Sequence, residues 1–136
     1  MDRTMKIEFA WKDETHLLHL PEMDATHREF VDLLLRAQRA PDGELAQCLD
    51  SLLDHTRAHF KHESGMMSAC GLSSRAEHEA EHQRILGELG RMRARAEGSR
   101  TAFVRAYLVE AVPDWFRTHL ATMDSDLAAK YRQAFP

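Results

Sequence analysis

The stretch HTRAHFKHESGMMSACGLSSRAEHEAEH, residues 55–82, constrains the fold more than any other part of the chain. It reads as the end of one helix, a turn and the start of the next. His59 and Glu63 lie four apart on the first of these, His78 and His82 four apart on the second. At about 100° per residue, positions i and i+4 project from nearly the same side of a helix, so each pair presents two metal-capable groups together. Both pairs sit on apolar seams. Leu45, Leu49, Leu52, Thr56, His59, Glu63, Met66 and Cys70 advance by alternating fours and threes, and so do His78, His82, Ile85, Leu89, Met92 and Ala96. That is the spacing of an inward helix face in a bundle. Burying an unpaired imidazole or carboxylate is costly, and a metal bound in the core would supply the compensation.

The rest of the chain reads as helical. Its 136 residues, the size of one ordinary domain, are rich in Leu, Ala, Glu and Arg and poor in Gly and Pro, with little strand-like alternation. The net charge of −4, with no basic tract, speaks against nucleic acid as a partner. No apolar run is long enough for a membrane span, and MDRTMKIEFAW is no signal peptide, so a cytoplasmic protein is expected. Cys48 and Cys70 fall on one helix, roughly 33 Å apart, too far to bridge, and read as buried thiols. Nine histidines are the one compositional anomaly.

In order, residues 1–20 form an N-terminal arm packed on the bundle, with His16 and His19 solvated. Pro21 opens a first helix running to about Arg39, with Met23, His27, Phe30 and Leu34 on its seam. Asp42 is placed to cap the second helix, which ends near Cys70 with Gly71 in the left-handed position beyond it. Ser74 and Glu77 form a capping box for the third, and Gly98-Ser99 can close it and cap the fourth. The fourth carries Val104, Leu108, Val112, Trp115 and His119, and Pro113 should kink it. His119 and Asp124 are five apart, about 140° around an unbroken helix. For both to face inward the chain must leave the helix between them, and Thr122 can cap a short separate helix over about 123–133. His62 should face outward, and Met66-Met67 fill the core.

Connections this short make consecutive helices antiparallel, an all-α, up-down-up-down four-helix bundle over 21–120 with a tail over 121–136, in one domain. At 1.5 Å per residue, the polar seam groups of all four helices then fall at one end of the bundle. Five histidines and two carboxylates exceed the four ligands of a structural zinc site. They suit two metal ions bridged by carboxylates, a donor set that fits iron.

MDATHREF, HFKHES, HEAEH and WFRTHLATMD resemble, in order and spacing, the ligand motifs of the hemerythrins, specifically their single-domain bacterial members, over roughly residues 11–127. The resemblance implies one iron held by His78, His82 and His119 and another held by His27 and His59 with an open position. Glu63 and Asp124 would bridge them, with an oxo or hydroxo group as third bridge. It further implies that O2 binds at the open iron, is reduced to hydroperoxide as both irons pass from ferrous to ferric, and leaves by the reverse path. Phe30, Trp115, Phe116 and Leu120 are expected to line the O2 pocket. Four features depart from the family pattern: His55 stands where an aromatic, often Tyr, is common, Ser64 where a Glu often follows the bridging Glu, the spacing from Trp11 to His27 is one residue longer than usual, and Pro113 is unexpected. His55, one turn from His59, is a candidate pocket residue.

The implied function is O2 storage, delivery or sensing rather than catalysis, with O2 and an oxygen-using acceptor as partners. The competing reading is a di-iron redox enzyme acting on peroxide, nitric oxide or ferrous iron. Ferritin-like di-iron sites draw on four carboxylates and two Glu-x-x-His motifs, whereas two carboxylates and five imidazoles should stabilise ferric iron less and favour releasing O2. A third reading, a signalling module, lacks an output domain in this chain.

Overall fold

The computed structural model describes residues 9–98 and 101–136, and the expected cap at Ser99 lies outside them. A short turn of helix, α1 (Asp13–His16), precedes α2 (Pro21–Arg39), α3 (Asp42–Cys70) and α4 (Arg75–Arg95). The chain then forms α5 (Thr101–Ala106), a π turn (Tyr107–Ala111), α6 (Val112–His119), a second π turn (Leu120–Asp124) and α7 (Ser125–Ala134) without a break. There is no strand among the described residues, and the architecture is the expected four-helix bundle. No described helix is long and apolar enough to cross a membrane.

The apolar core is divided. One cluster holds Phe30, Leu34, Leu49, Leu52, Phe60, Ile85, Leu89, Leu108, Phe116 and Leu120 among others. A smaller one holds Met23, Met66, Met67, Cys70, Leu72, Leu127 and Ala128. Each helix passes between them in the same way. Met23 and Phe30 flank His27, Phe60 and Met66 flank Glu63, Leu72 and Ile85 flank His78 and His82, and Leu120 and Leu127 flank Asp124. A polar layer is therefore sandwiched between two apolar ones.

The two π turns correct the expectation for the last helix. Pro113 does not kink it in isolation. The turn before it widens, and the Val112 N–H bonds the Tyr107 carbonyl five residues back. Pro113 has no N–H to offer the Leu108 carbonyl, and Gln38 Nε2 donates to that oxygen at 2.9 Å instead. Nor does the chain leave the helix between His119 and Asp124. The Ser125 N–H reaches the Leu120 carbonyl, and Thr122, expected as a cap, bonds the Thr118 carbonyl at 2.7 Å from within the helix. A π turn absorbs one residue more than an α turn, which brings i and i+5 toward one face. The tail is thus a continuation, whose α7 packs on α3 through Leu127 and Ala128.

Capping differs too. Asp42 is the first residue of α3, not its cap, and its carboxylate takes Arg105 at 2.7 Å. Ser74 sits at the α4 N-cap, yet its hydroxyl donates to Asp126 at 3.0 Å rather than closing a capping box. Gly71 adopts φ 65°, ψ 45°, and the Leu72 N–H returns to the Met67 carbonyl, the expected left-handed closure of α3.

The arm lies on the bundle through Phe9 and Trp11. Leu18 anchors it: its N–H donates to Asp24 at 2.7 Å, and its carbonyl accepts from Arg132 of α7. His19 is exposed, as expected. His16 is not: it is 8 % exposed and packs among the rings of Trp11 and Phe116. The arm carries its own aromatic residues, and the imidazole fills the gap between them and α6.

Candidate metal centre

His27 comes from α2, His59 and Glu63 from α3, His78 and His82 from α4, His119 from α6 and Asp124 from the second π turn. All seven side chains are buried. The two carboxylates lie at the centre, each with its oxygens divided between two groups of imidazoles. Glu63 Oε1 faces His78 and His82 at 3.6 and 3.3 Å, and Asp124 Oδ1 faces His78 and His119 at 3.2 and 3.3 Å. Glu63 Oε2 faces His59 and His27 at 2.7 and 3.3 Å, and Asp124 Oδ2 faces His27 at 3.2 Å. Potential donor atoms of Glu63, His78, His82, His119 and Asp124 fall within 4.8 Å of one another, as do those of His27, His59 and Glu63.

Hydrogen bonding does not account for this arrangement. Among the described residues, every buried side-chain nitrogen or oxygen that lacks a hydrogen-bond partner belongs to one of these seven. They include Glu63 Oε1, Asp124 Oδ1 and both ring nitrogens of His27 and His78. Such groups are normally paired in a folded chain. His82 and His119 even bring Nε2 to within 3.2 Å of Nε2, which places two ring nitrogens around one point. Buried atoms converging without partners fit a set of metal donors.

The electrostatics agree. Burial opposes charge on His27, Glu63, His78, His82 and Asp124, and for all of them except His82 the neighbours outweigh it. Burial depresses His27, yet the Asp124 and Glu63 carboxylates push it up to about 10, and they push His78 up to about 9 against the same penalty. Burial raises Glu63, but the surrounding imidazoles, His59 foremost, hold it well below the usual carboxylate range. Asp124 is held below that range as well, its burial and the nearby Glu63 charge overcome by His119 and His27. His82 is shifted down, chiefly by burial. The two anions thus favour protons on His27 and His78, which bound cations would replace.

Aromatic rings enclose the cluster. Phe60 lies flat on His82, centroids 3.6 Å apart and planes at 3°, and Trp115 on His119 at 4.6 Å and 19°. Phe116 meets His27 edge-on at 5.9 Å and stacks on Phe30 at 5.3 Å, with Leu120 buried in the same cluster. Of the expected pocket residues, Trp115 and Phe116 touch imidazoles of the cluster, Phe30 packs on both of them, and Leu120 lies in the same apolar core. His55 stands at its edge, its ring 6.0 Å from His59 and its Nε2 donating to the Thr26 carbonyl at 3.2 Å. Burial, ahead of the nearby His59, lowers its pKa. Sequence reasoning misses Phe60, His16 and Glu81. Phe60 has a signal, since it sits inside the HFKHES motif beside His59. Glu81, which accepts the Trp115 indole N–H at 2.8 Å and is held down to about 2 chiefly by Arg84, reads in sequence as an ordinary solvated charge. Ser64 donates to Glu79 across the α3–α4 turn at 2.7 Å.

Residues 18–131 match the family model described as the Hemerythrin HHE cation binding domain. A bacteriohemerythrin of Ralstonia nicotianae is 30% identical over 126 residues, 93% of this chain and 90% of the relative. A second, of Methylococcus capsulatus, is 29% identical over 101 residues, 66% of this chain and 77% of the relative. In fold, the chain is similar to the crystal structure of wild-type hemerythrin (TM-score 0.73, 22% identity, covering 86% of this chain and 92% of that one) and to that of a hemerythrin point mutant (TM-score 0.76, 21% identity, covering 90% and 95%).

Proposed function

The chain belongs to the hemerythrin family, and from that premise we propose that it binds O2 reversibly at two iron ions held by the seven buried side chains. His78, His82 and His119 would hold one ion and His27 and His59 the other, with the Glu63 and Asp124 carboxylates serving both. The supporting observation is the division of the carboxylate oxygens, with Oε1 and Oδ1 toward three imidazoles and Oε2 and Oδ2 toward two. An ion with two imidazoles keeps a position for a ligand. When bound, the iron pair supplies the electrons that O2 takes up and returns.

The protein's part is to place and to exclude. Glu63 and Asp124, fixed on separate helices, set the spacing of the two ions. The Phe60 and Trp115 rings lie flat against His82 and His119 and would hold those imidazoles in place. Phe30, Phe116 and Leu120 give the two-imidazole half an apolar wall, which admits O2 and disfavours the water and protons that would carry reduced oxygen away. Storage, delivery or sensing of O2 for an oxygen-using acceptor in the cytoplasm follows from such a site.

The test is anaerobic loading with ferrous iron, a count of iron per chain, then exposure to air and purging with argon. Two irons per chain and a visible charge-transfer band that appears in air and vanishes on purging are expected. Irreversible passage to a ferric spectrum would favour the second reading, a redox enzyme acting on peroxide, nitric oxide or ferrous iron. The observation on that side is His55, an imidazole beside His59 where the family commonly has an aromatic ring.

A further inference from the structure

Trp115 is joined to the surface by a chain of bonds that the O2-binding reading does not use. Its indole N–H donates to Glu81 Oε2 at 2.8 Å. Arg84 holds both Glu81 oxygens, at 3.1 and 2.8 Å, and Glu88 Oε2 at 2.7 Å. The Tyr107 hydroxyl donates to Glu88 Oε1 at 2.9 Å. Glu81 and Glu88 are seven apart on α4, two turns, and so share a face. Tyr107 and Trp115 are eight apart, which in a plain α-helix would set them about 80° apart. The π turn at Tyr107–Ala111 absorbs one residue and brings them to within about 20°. The widened turn before Pro113 thus sets an indole and a phenol in line, roughly 12 Å apart along the helix, each hydrogen-bonded to a carboxylate.

The chemistry of these rings is distinctive. Indole gives up an electron without first losing a proton, and a phenol whose proton passes to a waiting base is oxidised more readily still, so an electron runs downhill from such a phenol to an oxidised indole. Phenyl rings are not readily oxidised. Phe60 touches His82 more closely, but Trp115 is the oxidisable ring stacked on an imidazole of the cluster. Trp11, the other indole, reaches His27 only through His16 and Phe116. On the opposite side of the cluster lie Met23, Met66, Met67 and Cys70, sulfur groups that a strong oxidant would attack.

We propose that Trp115 and Tyr107 form a two-step relay that carries oxidising equivalents, produced at the metal site by hydrogen peroxide, out to the surface and away from the sulfur cluster. The relay rests on the reading that the seven side chains hold iron. In each pass one electron leaves the Trp115 indole for the site across the His119 ring. Tyr107 refills the indole with one electron and gives its phenolic proton to Glu88. An external one-electron reductant of the ascorbate or thiol class then restores the tyrosine, and Glu88 returns the proton. Two passes, with two protons from solvent, reduce one hydrogen peroxide to two water molecules.

The experiment uses the full chain loaded with iron and oxidised to the ferric state, treated with excess hydrogen peroxide, frozen within milliseconds and examined by electron paramagnetic resonance. The wild type should give a phenoxyl radical. Tyr107→Phe should leave iron content unchanged and convert the signal to an indolyl radical. Trp115→Phe, which keeps a ring on His119, should cut the radical yield severalfold and raise Met66 and Met67 sulfoxide, measured by peptide mass. A radical at Tyr131 or Trp11 in the wild type, or an unchanged phenoxyl yield in Trp115→Phe, overturns the relay while leaving the iron reading intact. A chain that takes up no iron overturns both.

Discussion

The two halves of the cluster share their carboxylates and differ in nearly everything else. His78, His82 and His119 stand around one oxygen of each carboxylate, two of the three covered by flat aromatic rings. His27 and His59 stand around the other oxygens, touched edge-on by Phe116 and bordered by the half-buried His55. A ring stacked face to face fixes an imidazole's orientation more firmly than an edge contact does. The asymmetry separates two tasks that one symmetric site could not perform together. On the proposed reading, one half would hold its ion rigidly and the other, enclosed, would accept a ligand.

The comparison fails outright if the halves do not share Glu63. Removing metal from the loaded protein should lower its thermal midpoint markedly, since a ligand at a thousand times its Kd stabilises by about 4 kcal/mol. Glu63→Ala takes one oxygen from each half, so calorimetry should find almost no difference between its iron-treated and chelator-treated forms. A large remaining difference would mean that the halves bind independently.

Single imidazoles should then tell the halves apart. His59→Ala leaves the open half with His27 alone, and elemental analysis should find one iron per chain. His82→Ala leaves two imidazoles on the other side, the number the open half has by nature, and should retain two irons at weakened affinity. Equal losses from both variants would remove the distinction. Phe116→Ala tests the wall. Emptying a site occupied by a buried ring typically costs about 3–5 kcal/mol in a denaturant titration. It should also shorten the lifetime of the oxygenated form, while Phe60→Ala, against the three-imidazole half, costs similar stability with less effect on that lifetime.

Much of this is legible in sequence, and the reason is periodicity. His59 with Glu63 and His78 with His82 lie at i and i+4 on helices that run regularly, so their directions follow from the α-helical repeat alone. Asp124 is legible only as a position. Its direction depends on a π turn, which changes the repeat locally and has no compositional signature, and a break at Thr122 is the simpler expectation. Pro113 announces an irregularity but not its form, because the outcome hangs on Gln38, some seventy residues earlier, being placed to take the Leu108 carbonyl. His16 escapes for the same reason: its burial is decided by Phe9, Trp11 and Phe116, and no local pattern in the arm reveals that they meet.

His16 also supplies the gentlest way to act on one half alone. Burial, together with Arg117 and Lys12, depresses its pKa, against a smaller opposing pull from Glu14. Its Nδ1 accepts the Lys12 N–H at 2.8 Å, so protonation there removes the acceptor and places a charge among aromatic rings. A histidine whose folded pKa lies below its unfolded value contributes stability that is fully present above the unfolded value, about 6.5, and is lost as pH falls through the folded one. Acidification from about pH 7.5 to 5 should therefore loosen the arm before the bundle melts. The reporter is Trp11, whose ring lies 5.1 Å from His16, and its fluorescence should change in that range together with faster hydrogen exchange at the Leu18 amide. His16→Phe should abolish the transition. Because His16 packs on Phe116, which in turn meets His27, the oxygenated lifetime should shorten over the same pH range, while the three-imidazole half, covered by Phe60 and Trp115, keeps its metal. An arm that stays docked at low pH, or a metal loss that begins at His82 and His119, would show that the ring stack through Phe116 does not couple the arm to the open half.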